Sequence, residues 1–249
     1  MGVVTHGALL TSAVAILVCQ VQGNGRMLEP PSRASMWRAG FLTTPNFNDN
    51  RVNCGGNKVL HEINGGKCGV CGDPWNGPRE HEPGGLFATG AITRKYRTND
   101  TIFVVIELTK NNLGWFEFRL CESDDAMEEK THECLNKHLL EDVLGDSRFD
   151  VPFPEYVNSK LLQFSLVIPE GVRCRACMLQ WKYHAGNSWG VGPDGVGCVG
   201  CGDQDQYHAC ADIAIGYDDV ELGKTDRPVV NIWTTTSPPT TTPECDCEC

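Results

Sequence analysis

The sequence has no excess of positive charge, no membrane-length apolar run beyond its first two dozen residues, and no alternation of strand with helix. Lys and Arg number 21 against 32 Asp and Glu, a formal net charge of -11. Such a chain lacks an electrostatic grip on nucleic acid or an anionic membrane surface, so neither is an expected partner. A neutral or apolar partner fits better. The missing second apolar run leaves a mature chain expected to be soluble. Without strand–helix–strand repeats, a doubly wound parallel sheet is excluded.

What is present begins with a leader. Ala8 to Cys19 (ALLTSAVAILVC) is apolar but too short to span a bilayer comfortably, and Val21 and Gly23 stand at minus three and minus one of a cut before Asn24. Residues 1–23 are therefore expected to be a secretory signal peptide. Met1 to Gly7 carries no Lys or Arg, and a signal anchor is the alternative.

Cysteine usage agrees with secretion, since fourteen cysteines suit an oxidising compartment. Cys19 leaves with the leader, and three crowd the last five positions. Ten remain in the body: Cys54, Cys68, Cys71, Cys121, Cys134, Cys174, Cys177, Cys198, Cys201 and Cys210. Their even number permits five internal disulfides. Cys121 and Cys134 are close enough to pair, while the other partners stay open. The pairs Cys174/Cys177 and Cys198/Cys201 also have the spacing of a zinc ribbon, but a secreted chain meets oxidant first.

Thr101 to Leu108 (TIFVVIEL) is β-branched, and Trp115 to Leu120 (WFEFRL) alternates, with Phe116, Phe118 and Leu120 on one face. Leu161 to Ile168, Ala176 to Tyr183 and Ala211 to Ile215 read as further strands. Pro30 to about Gly85 is irregular and rich in Gly, Pro and Asn, and a helix is expected within Met127 to Leu140. Short strands with long loops point to an all-β fold, a sandwich with disulfide-stapled loops. Asn99-Asp100-Thr101 is a glycosylation sequon just ahead of a strand.

Residues 24–232 are thus one domain. Residues 233–243 are a Thr/Pro-rich linker resembling an O-glycosylated stalk, and 244–249 (ECDCEC) are too short to fold alone. The tail is expected to be the start of a further domain or a site of pairing between molecules.

The motifs themselves carry a resemblance. Asn24 to Arg38 (NGRMLEPPSRASMWR), Cys54-Gly55-Gly56, Asn64 to Asp73 (NGGKCGVCGD) and His81 to Gly85 (HEPGG) occur in order. Cys177 to Trp181 (CMLQW), Gly186 to Gly190 (GNSWG) and Cys210 to Ala214 (CADIA) follow. From Asn24 to about Ile215 the chain resembles the lytic polysaccharide monooxygenases of auxiliary activity family fifteen, the chitin-binding type-4 class.

That resemblance implies an immunoglobulin-like or fibronectin-like sandwich with a flat face for crystalline chitin or cellulose, and an external electron donor or peroxide if the enzyme is active. It also implies copper, held by an amino-terminal histidine through its α-amine and ring and by a second histidine. His81 stands where the second histidine is expected, and Tyr207 where an axial aromatic residue is expected. Without the motif, His81 would be an ordinary loop histidine.

The departure is Asn24, which offers an α-amine but no ring nitrogen. Ligand counting therefore favours a polysaccharide-binding protein whose oxidative cleavage is weak or lost. A working copper monooxygenase is the alternative, and a disulfide-linked matrix protein is a third reading resting on the tail. Structural roles are expected for His184 and His208, and core or loop anchoring for Trp37, Trp181 and Trp189.

Overall fold

The computed structural model describes residues 24–152 and 160–226. The expected leader, linker and Cys-rich tail lie outside the described residues.

In chain order the elements are β1 (Gly25–Glu29), β2 (Arg94–Tyr96), β3 (Thr101–Leu108), β4 (Trp115–Cys121), α1 (His132–Leu135), β5 (His138–Leu139) and β6 (Phe149–Asp150). They continue as β7 (Lys160–Val167), β8 (Cys174–His184), β9 (Trp189–Val191), β10 (Gly197–Val199) and β11 (Gln206–Ile215). One antiparallel sheet has the order β1-β3-β7, and a second runs β2-β11-β8-β4-β5 with β6 added beside β4. β9 and β10 form a separate hairpin. Among the described strands the parallel pairing of β2 with β11 is the exception in an otherwise antiparallel arrangement.

The period-2 pattern explains the layers. Ile102, Val104, Ile106 and Leu108 of β3 point inward from the first sheet, and Phe116, Phe118 and Leu120 of β4 meet them from the second. Trp181, Tyr183, Tyr207, Ala209 and Ile213 complete this core. Its aromatic centre packs edge to face, with Phe116 at 5.3 Å from Trp181 and 4.8 Å from Tyr183. The architecture is the sandwich that the strand pattern suggested. β1, however, gave no comparable signal. It pairs with β3 from Gly25 opposite Leu108 and carries the chain's Asn24 to the end of the sandwich.

Among the described residues five disulfides staple the loops: Cys54–Cys68, Cys71–Cys210, Cys121–Cys134, Cys174–Cys177 and Cys198–Cys201. Each of the two CxxC pairs closes on itself, which leaves no thiolate set for a zinc ribbon. The expected helix within Met127 to Leu140 shrinks to α1. The Thr131 hydroxyl caps it by accepting from the Cys134 amide at 3.2 Å, and the bridge to Cys121 pins that turn to the end of β4. The chain then enters β5, opposite Arg119 and Leu120, so tertiary pairing ends the helix.

A buried ion pair locks the irregular first loop onto the sandwich. Arg33 and Asp212 are each about 1 % exposed, and the guanidinium meets the carboxylate with both prongs, Nε to Oδ2 at 2.7 Å and Nη2 to Oδ1 at 2.8 Å. Arg33 also donates to the carbonyls of His81 (2.8 Å) and Ala126 (3.2 Å). One side chain thus joins β11 to the loop that holds His81.

Candidate functional site

The end of β1 places Asn24 beneath a polar cavity of about 490 Å³. Asn24 is buried, and its backbone N–H donates to the Asn50 carbonyl at 3.1 Å. Its side-chain amide donates to the Tyr207 hydroxyl, and its Oδ1 accepts from Asn112 Nδ2 at 2.6 Å. Asn112 Oδ1 in turn accepts from Asn187 Nδ2 at 3.1 Å. Tyr207, Asn24, Asn112 and Asn187 therefore form one hydrogen-bonded chain across the cavity floor.

Local backbone geometry presents Asn112. Leu113 and Gly114 both have left-handed φ, 56° and 82°, making a tight turn into β4. A Cβ on Gly114 would sit 1.9 Å from the His184 carbonyl, so glycine is required there. The Asn112 amide donates to the Tyr183 hydroxyl at 3.0 Å, and that hydroxyl donates onward to the Leu113 carbonyl at 2.7 Å. β11 supplies Tyr207 from the register position opposite Tyr183. Burial, reinforced by the Asp205 charge, pushes the Tyr207 phenol up to about 12 despite hydrogen bonds from Asn53 and Asn24. The phenol stays protonated at ordinary pH.

His81 is held elsewhere. Its Nδ1 meets Asp73 Oδ1 at 2.8 Å, its backbone N–H donates to Asp73 Oδ2 at 2.8 Å, and its Nε2 meets Asn46 Nδ2 at 3.0 Å. Because Asn46 Nδ2 can only donate, the Nε2 atom accepts and the proton sits on Nδ1, facing the carboxylate. The ring stacks on Phe87 at 4.9 Å, in the wall of a neighbouring cavity of about 410 Å³. Both ring nitrogens are engaged. Among the described residues, no contact joins His81 to Asn24, Asn112 or Tyr207. The structure brings Asn24 and Tyr207 together and sets Asn112 beside them, while His81 lies in the wall of the neighbouring cavity.

The remaining expectations divide. His184 stacks on Trp115 at 4.0 Å and lies 3.6 Å from Glu117, a structural setting. His208 is core, with neither ring nitrogen hydrogen-bonded, and burial holds its imidazole well below the usual range. Its ring lies near the sulfurs of Cys54 and Cys68, but these are joined to each other and offer no thiolates. Trp181 is core and Trp37 anchors a loop by donating to the Asn46 carbonyl at 3.1 Å. Trp189 departs from the anchoring expected of it, being 70 % exposed on β9, in a hairpin whose Val191, Val196 and Val199 are exposed too. Asn99 is exposed in a left-handed turn ahead of β3, a position open to solvent.

Comparison with known proteins fixes the relationship. Residues 25–213 match the family profile described as lytic polysaccharide mono-oxygenase, cellulose-degrading. This chain belongs to the lytic polysaccharide monooxygenase family. It is similar to the family fifteen lytic polysaccharide monooxygenase from Thermobia domestica in its Cu(I) state, with 41% sequence identity and a TM-score of 0.72. That likeness covers 77% of this chain and 98% of the Thermobia chain. A fainter likeness, to Wiseana entomopoxvirus fusolin spindles, has 13% identity and a TM-score of 0.33 over 70% of this chain and 60% of that one. No curated protein matches the chain.

Family membership implies copper, so the donor set at Asn24 can be tested against it. Two carboxamides there are spent on each other and on a protonated phenol, and the cavity is also lined by Arg51, Lys58 and Lys110. Only the α-amine of a chain cut before Asn24 would be a nitrogen ligand of the kind copper prefers. Carboxamide oxygens are weak ligands for it, and three cations oppose a divalent ion. The residues present do not fit copper.

Asn112 was missed in the sequence, and Asn187 was read only as part of the Gly186 to Gly190 motif. The available signal was local: Lys110-Asn111-Asn112-Leu113-Gly114 puts two Asn before a turn, directly after a β-branched strand.

Proposed function

We propose that this protein is a secreted polysaccharide-surface binder of the lytic monooxygenase family, cut before Asn24, whose oxidative cleavage is weak or lost. The hydrogen-bonded clasp of the Asn24 carboxamide between Asn112 and the Tyr207 hydroxyl carries the reading. It spends the carboxamides of Asn24 and Asn112 on each other and on Tyr207, and leaves no imidazole there. Chitin or cellulose is the polymer, and cellulose is the one named in the description of the matching family.

On this reading contact comes from the surface beside the cavity. Trp189 offers an exposed indole that suits stacking on a pyranose ring, and it follows Asn187 and Ser188 of the cavity wall. Carboxamides at that edge pair with sugar hydroxyls without the desolvation cost of charged groups. His81 is a structural brace of the loop, through Asp73 and the Arg33 contact to its carbonyl. Glycosylation at Asn99 is consistent with its exposed turn and leaves the cavity clear.

The experiment is a pull-down of the secreted protein on insoluble chitin and cellulose, with and without a chelator. Binding that survives the chelator is expected. Failure on both polymers would remove the proposal.

A further inference from the structure

On an acidic chain, the cavity above Asn24 collects unpaired positive charge. Arg51, Lys58 and Lys110 all line it, and among the described residues their side chains have no ion-pair, hydrogen-bond or aromatic partner. Cleavage before Asn24 adds an α-ammonium at the floor. The one carboxylate in the lining, Asp205, has a buried Oδ1 with no hydrogen-bond partner. Burial raises the pKa of that carboxyl, which weakens its opposition to an anion.

The neutral part of the lining is equally specific in chemistry. Asn24 and Asn112 are spent on each other and on Tyr207, but Asn53, Asn57 and Asn187 keep Oδ1 acceptors with no partner among the described residues, groups that match sugar hydroxyls. The volume, about 490 Å³, lies within the roughly 300–1,000 Å³ of small-molecule pockets. A cavity that asks for hydroxyl donors, amide partners and a negative charge together describes an acidic sugar.

We infer that the cavity above Asn24 is a binding site for a carboxylate-bearing sugar, its hydroxyls held by Asn53, Asn57 and Asn187 and its carboxylate by Arg51, Lys58 and Lys110. The inference rests on the proposed reading of the chain as a polysaccharide-surface protein and deepens it, since a polymer offers such groups either as uronate units or as an oxidised chain end. The shared chemistry is a carboxylate on a pyranose-derived ring or its opened form.

Calorimetric titration of the mature protein with three disaccharides tests it: neutral cellobiose, its uronate analogue and its aldonate analogue. At low salt at least one acidic sugar should bind about tenfold more tightly than cellobiose, as several exposed charge pairs permit. The advantage should shrink severalfold at high ionic strength, where exposed charges are screened. A Lys58→Gln/Lys110→Gln variant, changed only at solvent-exposed side chains, should lose most of it. Preference for the uronate assigns the site to units within a polymer, and preference for the aldonate assigns it to oxidised ends. Equal affinity for all three sugars, an advantage unchanged by salt or by the double variant, or no binding of either acid would each overturn the inference. Pull-down on neutral chitin and cellulose reads the surface separately, so the surface reading can fail while the acidic-sugar site stands, and the reverse.

Discussion

Replacing Asp212 by Ala strips Arg33 of both prongs of its carboxylate while the guanidinium stays about 1 % exposed. Breaking a buried pair by removing one partner costs about 3–5 kcal/mol, because the remaining charge is uncompensated. The carbonyls of His81 and Ala126 still accept from Arg33, which places the effect at the lower half of that range. For a domain of this size each kcal/mol moves the midpoint by about 2–4 °C, so a fall of roughly 6–15 °C is expected. Thermal unfolding followed by circular dichroism, with the disulfides intact, measures it. An Arg33→Met/Asp212→Leu variant, which removes both charges, should recover most of the loss. A single variant within about 2 °C of the parent, or a double variant no better than the single, would refute the reasoning.

Trp189→Ala should weaken retention on insoluble chitin or cellulose severalfold while leaving the melting temperature within about 2 °C, because the indole is 70 % exposed and lies over Gly197 of a two-stranded hairpin outside the main core. Unchanged retention would remove Trp189 from the contact surface. The raised Tyr207 phenol favours the protonated folded state, so its contribution is fully present below pH 10 and is lost as pH rises toward about 12. Tyr207→Phe should flatten the decline of stability across that window, as read by denaturant titration at stepped pH, and an unaltered slope would contradict the assignment. Thiol titration of the unreduced, denatured protein should find no free thiol among Cys54 to Cys210, and any that reacts would contradict the five bridges.

The central strands were legible because β3 and β4 carry a period-2 pattern of β-branched and aromatic residues that one buried face imposes. β1 was not, since Gly25–Glu29 holds its place by pairing with β3 rather than by its own propensity. The helix was over-extended because Met127 to Leu140 has helical composition, whereas the Cys121–Cys134 bridge and the pairing of β5 decide its length. At the cavity, Asn24 and Tyr207 were singled out by resemblance, and the fold joins them by a hydrogen bond. His81 was assigned by its flanking glycines and proline, but the carboxylate of Asp73, eight residues earlier, claims its ring. Asn112 went unseen because a carboxamide in a loop has no periodic signature, and only the fold shows that it faces Asn24.

The most direct test is calorimetric titration of Cu(II) into the secreted protein, its amino terminus verified as Asn24, beside an Asn24→His/Asn112→His variant. The two positions lie 2.6 Å apart through their side chains, so two imidazoles there and the α-amine would converge as three nitrogen ligands. Essentially no tight uptake by the unmodified protein and strong one-to-one uptake by the variant are expected. Tight one-to-one uptake by the unmodified protein would contradict the account, because copper would then be held where no imidazole is placed.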